Sequence, residues 1–192
     1  LEASRPLVAL LPGSRASEVT RLLPPMVELV KAWTERRPEV QWVLPVAPTL
    51  ETAFLKSFTG SLPVKLVEHR SYAARAYADA ALVASGTATL ETALLGTPFA
   101  IVYKLNALTA FAARRLVDLP RVGLANIVAG QEVAPELLQG EVNPERMSAI
   151  LSNLLEPAES ARRRALLATV RPHLGEPGAA DRVAADLITR LP

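Results

Sequence analysis

Three short segments of this chain carry side chains suited to holding a phosphate or a sugar. The first is Leu11-Pro12-Gly13-Ser14-Arg15, directly after an apolar run. Gly13 permits close approach to the backbone, Ser14 can cap a following helix, and a helix N-terminus presents unpaired N–H groups to an anion. Arg15 can form paired hydrogen bonds to phosphate oxygens. The same residues also describe a plain turn and cap with a solvated arginine. The second segment, Ser85-Gly86-Thr87-Ala88-Thr89-Leu90-Glu91, puts small hydroxyl residues and a glycine at a helix start, the composition of a pyrophosphate cradle. Glu91 falls one turn into that helix, where its carboxylate can accept hydrogen bonds from ribose hydroxyls. The competing reading is a surface glutamate favoured by the helix dipole. Ala88 stands where a capping box would need Ser or Thr. The third candidate is Asn126, in Gly123-Leu124-Ala125-Asn126-Ile127-Val128-Ala129-Gly130. An amide among apolar residues needs partners if buried. It can orient a sugar or phosphate, or simply satisfy a turn.

Several chemistries are excluded or lose support. There are no cysteines, so disulfides, thiolate metal sites and a cysteine nucleophile are absent. Neither Gly-x-Gly-x-x-Gly nor Gly-x-x-x-x-Gly-Lys-Ser/Thr occurs, which removes the main support for a dehydrogenase or a P-loop enzyme. Without an Asp-x-Asp, a two-carboxylate metal clamp has no sequence support. His69 follows a strand-like run and His173 lies among terminal helices; a lone histidine is more often structural. The formal charge of +2, from 21 Lys and Arg against 19 Asp and Glu, is too small to argue for nucleic acid. No apolar run approaches the roughly 18 residues a membrane span needs, and no signal peptide is visible. The chain starts at Leu1, not at a Met, and is expected to be a piece of a longer, cytoplasmic protein.

The elements that must position these residues follow from the apolar pattern. Continuous apolar runs at 7–11, 41–46, 64–67, 80–84 and 99–103 read as strands, with a sixth near 122–124. Helical spacing marks 17–36, 50–58, 72–77, 88–95 and 108–117. Pro24 and Pro25 mark either the true first turn of the first helix or a kink. The helix at 108–117 is amphipathic, with Arg114 and Arg115, and either touches anionic lipid or packs on the core. Beyond Val133 only helices are expected, at 135–138, 144–155, 158–170 and 179–191. Continuously apolar strands alternating with helices predict an α/β fold, a doubly wound, Rossmann-like parallel sheet with additional C-terminal helices. Residues 1–157 would form that domain, and 158–192 helices packing on it or on a partner domain or subunit. Ligands of such sheets bind beyond the carboxyl ends of the strands, where all three candidate segments fall.

Taken together, and in order, these segments resemble the lipid-A-disaccharide synthases, inverting glycosyltransferases of the two-Rossmann-domain (GT-B) type. The resemblance rests on Leu10-Leu11-Pro12-Gly13-Ser14-Arg15 with Glu18-Val19, Val43-Leu44-Pro45-Val46-Ala47, and Ala81 to Glu91. It continues through Arg114-Arg115-Leu116-Val117, Asn126-Ile127-Val128-Ala129-Gly130 and Glu136-Leu137-Leu138-Gln139. It implies a UDP-linked 2,3-diacylated glucosamine donor, a lipid monosaccharide 1-phosphate acceptor and a β-1,6-linked disaccharide product, with no cofactor and no metal. It also implies that this chain is the C-terminal, nucleotide-binding half. Gly13, Ser14, Ser85, Gly86 and Thr87 would then serve the diphosphate, Glu91 the ribose, and Arg15 and Asn126 the leaving-group charge or the sugar. The general base and acceptor site would belong to a missing N-terminal domain. The terminal helices would join the halves or a homodimer, and the lipid substrates imply peripheral association with the inner face of the cytoplasmic membrane. Ala125, Ala107 and Gln131 depart from the family's usual proline, proline and arginine. Two alternatives remain: another GT-B UDP-sugar enzyme, such as a cell-wall UDP-N-acetylglucosamine transferase or a 2-epimerase, and a non-catalytic nucleotide-binding module.

Overall fold

A computed structural model describes residues 1–105 and 121–190. The chain runs β1 (Leu7–Leu11), α1 (Ala16–Arg36), β2 (Gln41–Val46), α2 (Thr52–Thr59), β3 (Val64–Glu68), α3 (Ser71–Ala76), β4 (Ala80–Ala84), α4 (Thr87–Leu94) and β5 (Phe99–Tyr103). Then come α5 (Leu124–Ala129), β6 (Glu136–Leu138), α6 (Pro144–Leu154), α7 (Pro157–Ala168) and α8 (Ala179–Arg190). The six strands form one parallel sheet in the order β3-β2-β1-β4-β5-β6. The α/β doubly wound fold expected from the sequence is therefore the fold observed.

Period-two alternation divides the strands between two apolar layers. Val8, Leu10, Trp42, Leu44, Leu82 and Val102 face one side, where Leu23, Met26, Val30 and Trp33 of α1 and Met147 and Leu151 of α6 cover them. Ala9, Leu11, Val43, Ala81, Val83, Phe99 and Ile101 face the other, covered by Ala93, Ala125, Ala129 and Leu167. Both faces are buried, which is why the strands read as unbroken apolar runs. Trp33 and Trp42 meet edge to face, and the Trp33 indole donates to Ser148 Oγ at 2.8 Å, fixing α1 against α6.

Strands β1 to β5, α1 to α4 and the later long helices lie within two residues of their expected limits. Two expectations fail. Val122 to Leu124 is not a strand; Val122 and Gly123 lead into α5, which begins at Leu124. The sixth strand is instead Glu136–Leu138, in a segment expected to be helical. It pairs with β5 through Ile101↔Glu136 to Tyr103↔Leu138. Three residues are too few for either periodicity to show. Pro24 and Pro25 lie well inside α1, past its first turn. The apolar stripe of Val19, Leu22, Leu23 and Met26 runs past them and holds the helix to the sheet. The helix expected at 108–117, with Ala107, falls outside the described residues.

The C-terminal helices are fastened unequally. Leu167 and Val170 are fully buried in the second layer, and Arg164 donates to Gly96 O at 3.1 Å. No residue of α8 is buried. In α7, Glu159 receives two hydrogen bonds from Arg162, at 2.6 and 2.7 Å, and one from Arg163 at 2.7 Å. The Arg162 hydrogen bonds, helped by Arg163 and opposed by burial, hold its carboxyl down from 4.5 to about 2. A depressed folded-state pKa gives stability that is present above 4.5 and is lost as pH falls toward 2. Urea midpoints measured from pH 6 to pH 2 should therefore fall more steeply for the wild type than for Glu159→Gln. Parallel curves would contradict the assignment.

Candidate functional site

The strand order reverses between β1 and β4, neighbours in the sheet but not in sequence. The helices leaving these two strands go to opposite faces, so their first turns part and leave a crevice at the carboxyl edge. A cavity of about 390 Å³ sits there. Leu11, Gly13, Ser14, Arg15 and Glu18 line one wall, Ala84 to Ala88 the other, and Pro45, Ala47, Pro48 and Ser71 the end toward β2 and α3. The two glycine-containing segments selected from sequence thus meet in one cleft.

The two walls differ in electrostatic character. On the β1 side, Glu18 turns back over the start of α1. Its Oε2 accepts from Ser14 N at 3.1 Å and more weakly from Arg15 N at 3.4 Å, and its Oε1 accepts from Arg15 Nη1 at 2.7 Å. Glu18 thus engages the two amides that lead into α1, while the amides of Ala16 and Ser17 have no acceptor among the described residues. Gly13 is essential to that arrangement: its φ is +113°, and an added Cβ would lie 2.3 Å from Glu18 Oε2 and 2.7 Å from Glu18 Cβ. Arg15 remains 77% exposed, its free edge available to an anion.

On the β4 side the donors are open. Gly86 caps α4 without any side-chain hydrogen bond. Thr89 Oγ1 and Thr89 N both point back to Gly86 O, while the amides of Thr87 and Ala88 have no acceptor among the described residues. The first N–H groups of a helix carry a partial positive charge and satisfy an anion directly. Ser85 contributes differently, since its Oγ donates to Val122 O at 3.0 Å.

Glu91 and Asn126 do not line this cavity. Glu91 lies four residues beyond Thr87 and three beyond Ala88, on the face of α4 that both lining residues share. Its Oε2 accepts from Arg75 Nη1 at 2.6 Å; Arg75 is 2% exposed and Glu91 35%. Asn126 is fully buried inside α5. Its Oδ1 accepts from Val133 N and Ala134 N, and its Nδ2 donates to Ala134 O and to Glu136 Oε1. Glu136 in turn accepts from Val122 N and Gly123 N at 2.9 Å each. Asn126 therefore forms a buried clamp behind the cleft. That clamp fixes residues 122–123, on which the Ser85 hydroxyl rests. Glu18, Arg75 and Glu136 escaped notice as site residues because each acts through a partner distant in sequence or hidden by a turn.

His69 lines a neighbouring cavity of about 410 Å³ with Val46, Pro48, Arg70, Ser71 and Tyr72, in a turn where its φ is +53°. Gln131 turns away from the cleft to donate to Thr169. Among the described residues, no three His, Asp or Glu side chains gather as a metal site would require, and no helix is long and apolar enough to cross a membrane. A hollow of about 480 Å³ at the opposite edge of the sheet contains Arg5 and Arg164, but both are engaged with backbone carbonyls.

The profile of the family described as lipid-A-disaccharide synthetase matches residues 1–182. A lipid-A-disaccharide synthase of Syntrophus aciditrophicus (strain SB) is 48% identical over 188 residues, covering 96% of this chain and 49% of the relative. The chain spans about half the length of the curated relatives it matches. Among solved structures, the calicheamicin glycosyltransferase CalG4 aligns at TM-score 0.58 and 20% identity, over 100% of this chain and 46% of that one. A UDP-GlcNAc 2-epimerase from Neisseria meningitidis aligns at 0.63 and 13% identity, over 99% and 46%. At such identities these two likenesses show the fold alone, shared with just under half of each of those chains.

Proposed function

The chain belongs to the lipid-A-disaccharide synthetase family, and from that membership we propose that it forms the donor-binding half of an inverting glycosyltransferase. The donor is a UDP-linked 2,3-diacylglucosamine and the acceptor a lipid monosaccharide 1-phosphate. The observation that supports this reading best is the open N-terminus of α4, with the unpartnered Thr87 and Ala88 amides facing Arg15 across a cleft at the strand-order reversal.

The diphosphate lies against Gly86, Thr87 and Ala88, with Gly13, Ser14 and Arg15 on its other side. As the glycosidic bond to the diphosphate breaks, negative charge grows on the leaving oxygens. Fixed N–H dipoles and the Arg15 guanidinium stabilise that charge. Glu91 receives the ribose hydroxyls, and Asn126 supports Ser85 from behind through Glu136 and Val122. The general base and acceptor site lie in a separate N-terminal half. The boundary of the nucleotide domain falls near residue 157 by sequence, and α8 packs on that other half or on a second copy through Val183, Leu187 and Ile188, all exposed here. The lipid substrates call for peripheral association with the cytoplasmic face of a membrane.

Calorimetric titration of the chain with UDP tests the reading. Binding is expected to persist in EDTA and to weaken at least about tenfold, or about 1.4 kcal/mol, when Thr87 and Ala88 are both replaced by proline to remove their N–H groups. A folded double variant that binds UDP as the wild type does would contradict the placement of the diphosphate.

A further inference from the structure

The Arg75–Glu91 pair is unusual in its asymmetry. The guanidinium is almost wholly buried while the carboxylate keeps a third of its surface exposed. Two contacts from its own helix hold Arg75 in place. Its Nε donates to Ser71 O at 3.2 Å, and the Tyr72 ring lies 4.7 Å from its guanidinium carbon. Its backbone carbonyl accepts from the buried Thr97 hydroxyl at 2.8 Å. Among the described residues Arg75 therefore pairs with one carboxylate, that of Glu91, and it has little freedom to leave it. It stands four residues beyond Ser71, and Glu91 stands four beyond Thr87; Ser71 and Thr87 both line the cleft. Two short helices, α3 and α4, thus bring their second turns together beneath the same cavity, one carrying the cation and the other the anion.

We propose that Arg75 is a positioning residue: it clamps one carboxylate oxygen of Glu91 so that the other is held out toward the 2′ and 3′ hydroxyls of a bound ribose. This rests on the reading of Glu91 as the ribose acceptor. A free glutamate at a helix surface samples several rotamers, and ordering it on binding costs conformational entropy. A carboxylate tethered by a charge-assisted hydrogen bond to a fixed guanidinium is ordered in advance. The buried charge thereby gains a role in recognising nucleotides with an intact ribose diol.

The test compares UDP with 2′,3′-dideoxy-UDP, which keeps the diphosphate and base but lacks both hydroxyls. Kd is measured for the wild type, Arg75→Met, Arg75→Lys and Glu91→Gln, each shown folded by urea unfolding. Wild type is expected to prefer UDP by about tenfold or more. Arg75→Met should collapse that ratio toward one while leaving dideoxy-UDP affinity within about twofold, and Arg75→Lys should bring the ratio back toward the wild-type value. Retention of the wild-type ratio in Arg75→Met, or equal weakening of both ligands, overturns the proposal and leaves the ribose reading standing. A wild-type chain that binds both ligands equally, or neither, overturns the ribose reading and this inference with it.

Discussion

Asn126→Ala should lower the unfolding free energy by about 4 kcal/mol, the largest single effect expected in this domain. Each buried polar group left without a partner costs about 1–3 kcal/mol, and the substitution strands the Val133 and Ala134 amides, the Ala134 carbonyl and one bond to Glu136. The loss is not a simple sum, because water can enter the space the amide leaves. Asn126→Asp makes a sharper test. It keeps the shape, and its oxygens still accept from Val133 and Ala134, but the introduced carboxylate confronts Glu136 Oε1 and Ala134 O where a donor is needed. Its folded-state pKa must therefore be raised, so the defect is greatest at neutral pH and eases as the pH falls through that raised value. Urea unfolding at pH 7 and pH 5 reads both effects. A stable Asn126→Ala that loses only UDP affinity would return this residue to the ligand and refute the clamp.

Glu91→Ala is expected to destabilise the chain by about 3 kcal/mol, at the lower end of the cost of stranding a buried ionic partner, because Glu91 is itself part-exposed. Arg75 would be left as a buried cation with Ser71 O and the Tyr72 ring, but no carboxylate among the described residues, to meet its charge. The double variant Arg75→Met/Glu91→Ala removes both charges and should recover most of that stability. The distinction matters for any binding experiment: loss of UDP affinity in Glu91→Ala alone confuses a lost ribose contact with a disturbed α3–α4 junction. Near-equal urea midpoints for the wild type and Glu91→Ala would mean that the buried guanidinium finds other partners.

Much of this was legible in the sequence for a physical reason. Strands buried on both faces carry few polar residues to confuse the pattern, so β1, β2, β4 and β5 stand out as apolar runs, and edge strand β3 does so despite Lys65. The glycine-containing turns after β1 and β4 follow at once. That they share a cleft follows from the strand order, which no local pattern states but the fold class implies. The failures are equally physical. Glu136–Leu138 is three residues at the sheet edge, and Leu124–Ala129 is a helix of less than two turns; neither is long enough to show its period. The sequence marks Asn126 as an amide that needs partners, but those partners come from a turn and strand up to ten residues later. Arg75 looks like an ordinary surface arginine in sequence; only the fold buries it and brings it to Glu91, sixteen residues away. The closing of the β1 turn by Glu18 was hidden for a subtler reason. The same glycine that admits a phosphate also admits a glutamate, and Glu18 occupies that space.

The central claim is that a nucleoside diphosphate binds where β1 and β4 diverge. Amide chemical shifts followed by NMR as UDP is added test it most directly. The account predicts the largest changes at Gly13, Ser14, Arg15, Gly86, Thr87 and Ala88, with Arg5 and Arg164 at the opposite edge of the sheet unmoved. Absence of binding by the folded chain, or shifts centred on that opposite edge, would contradict it.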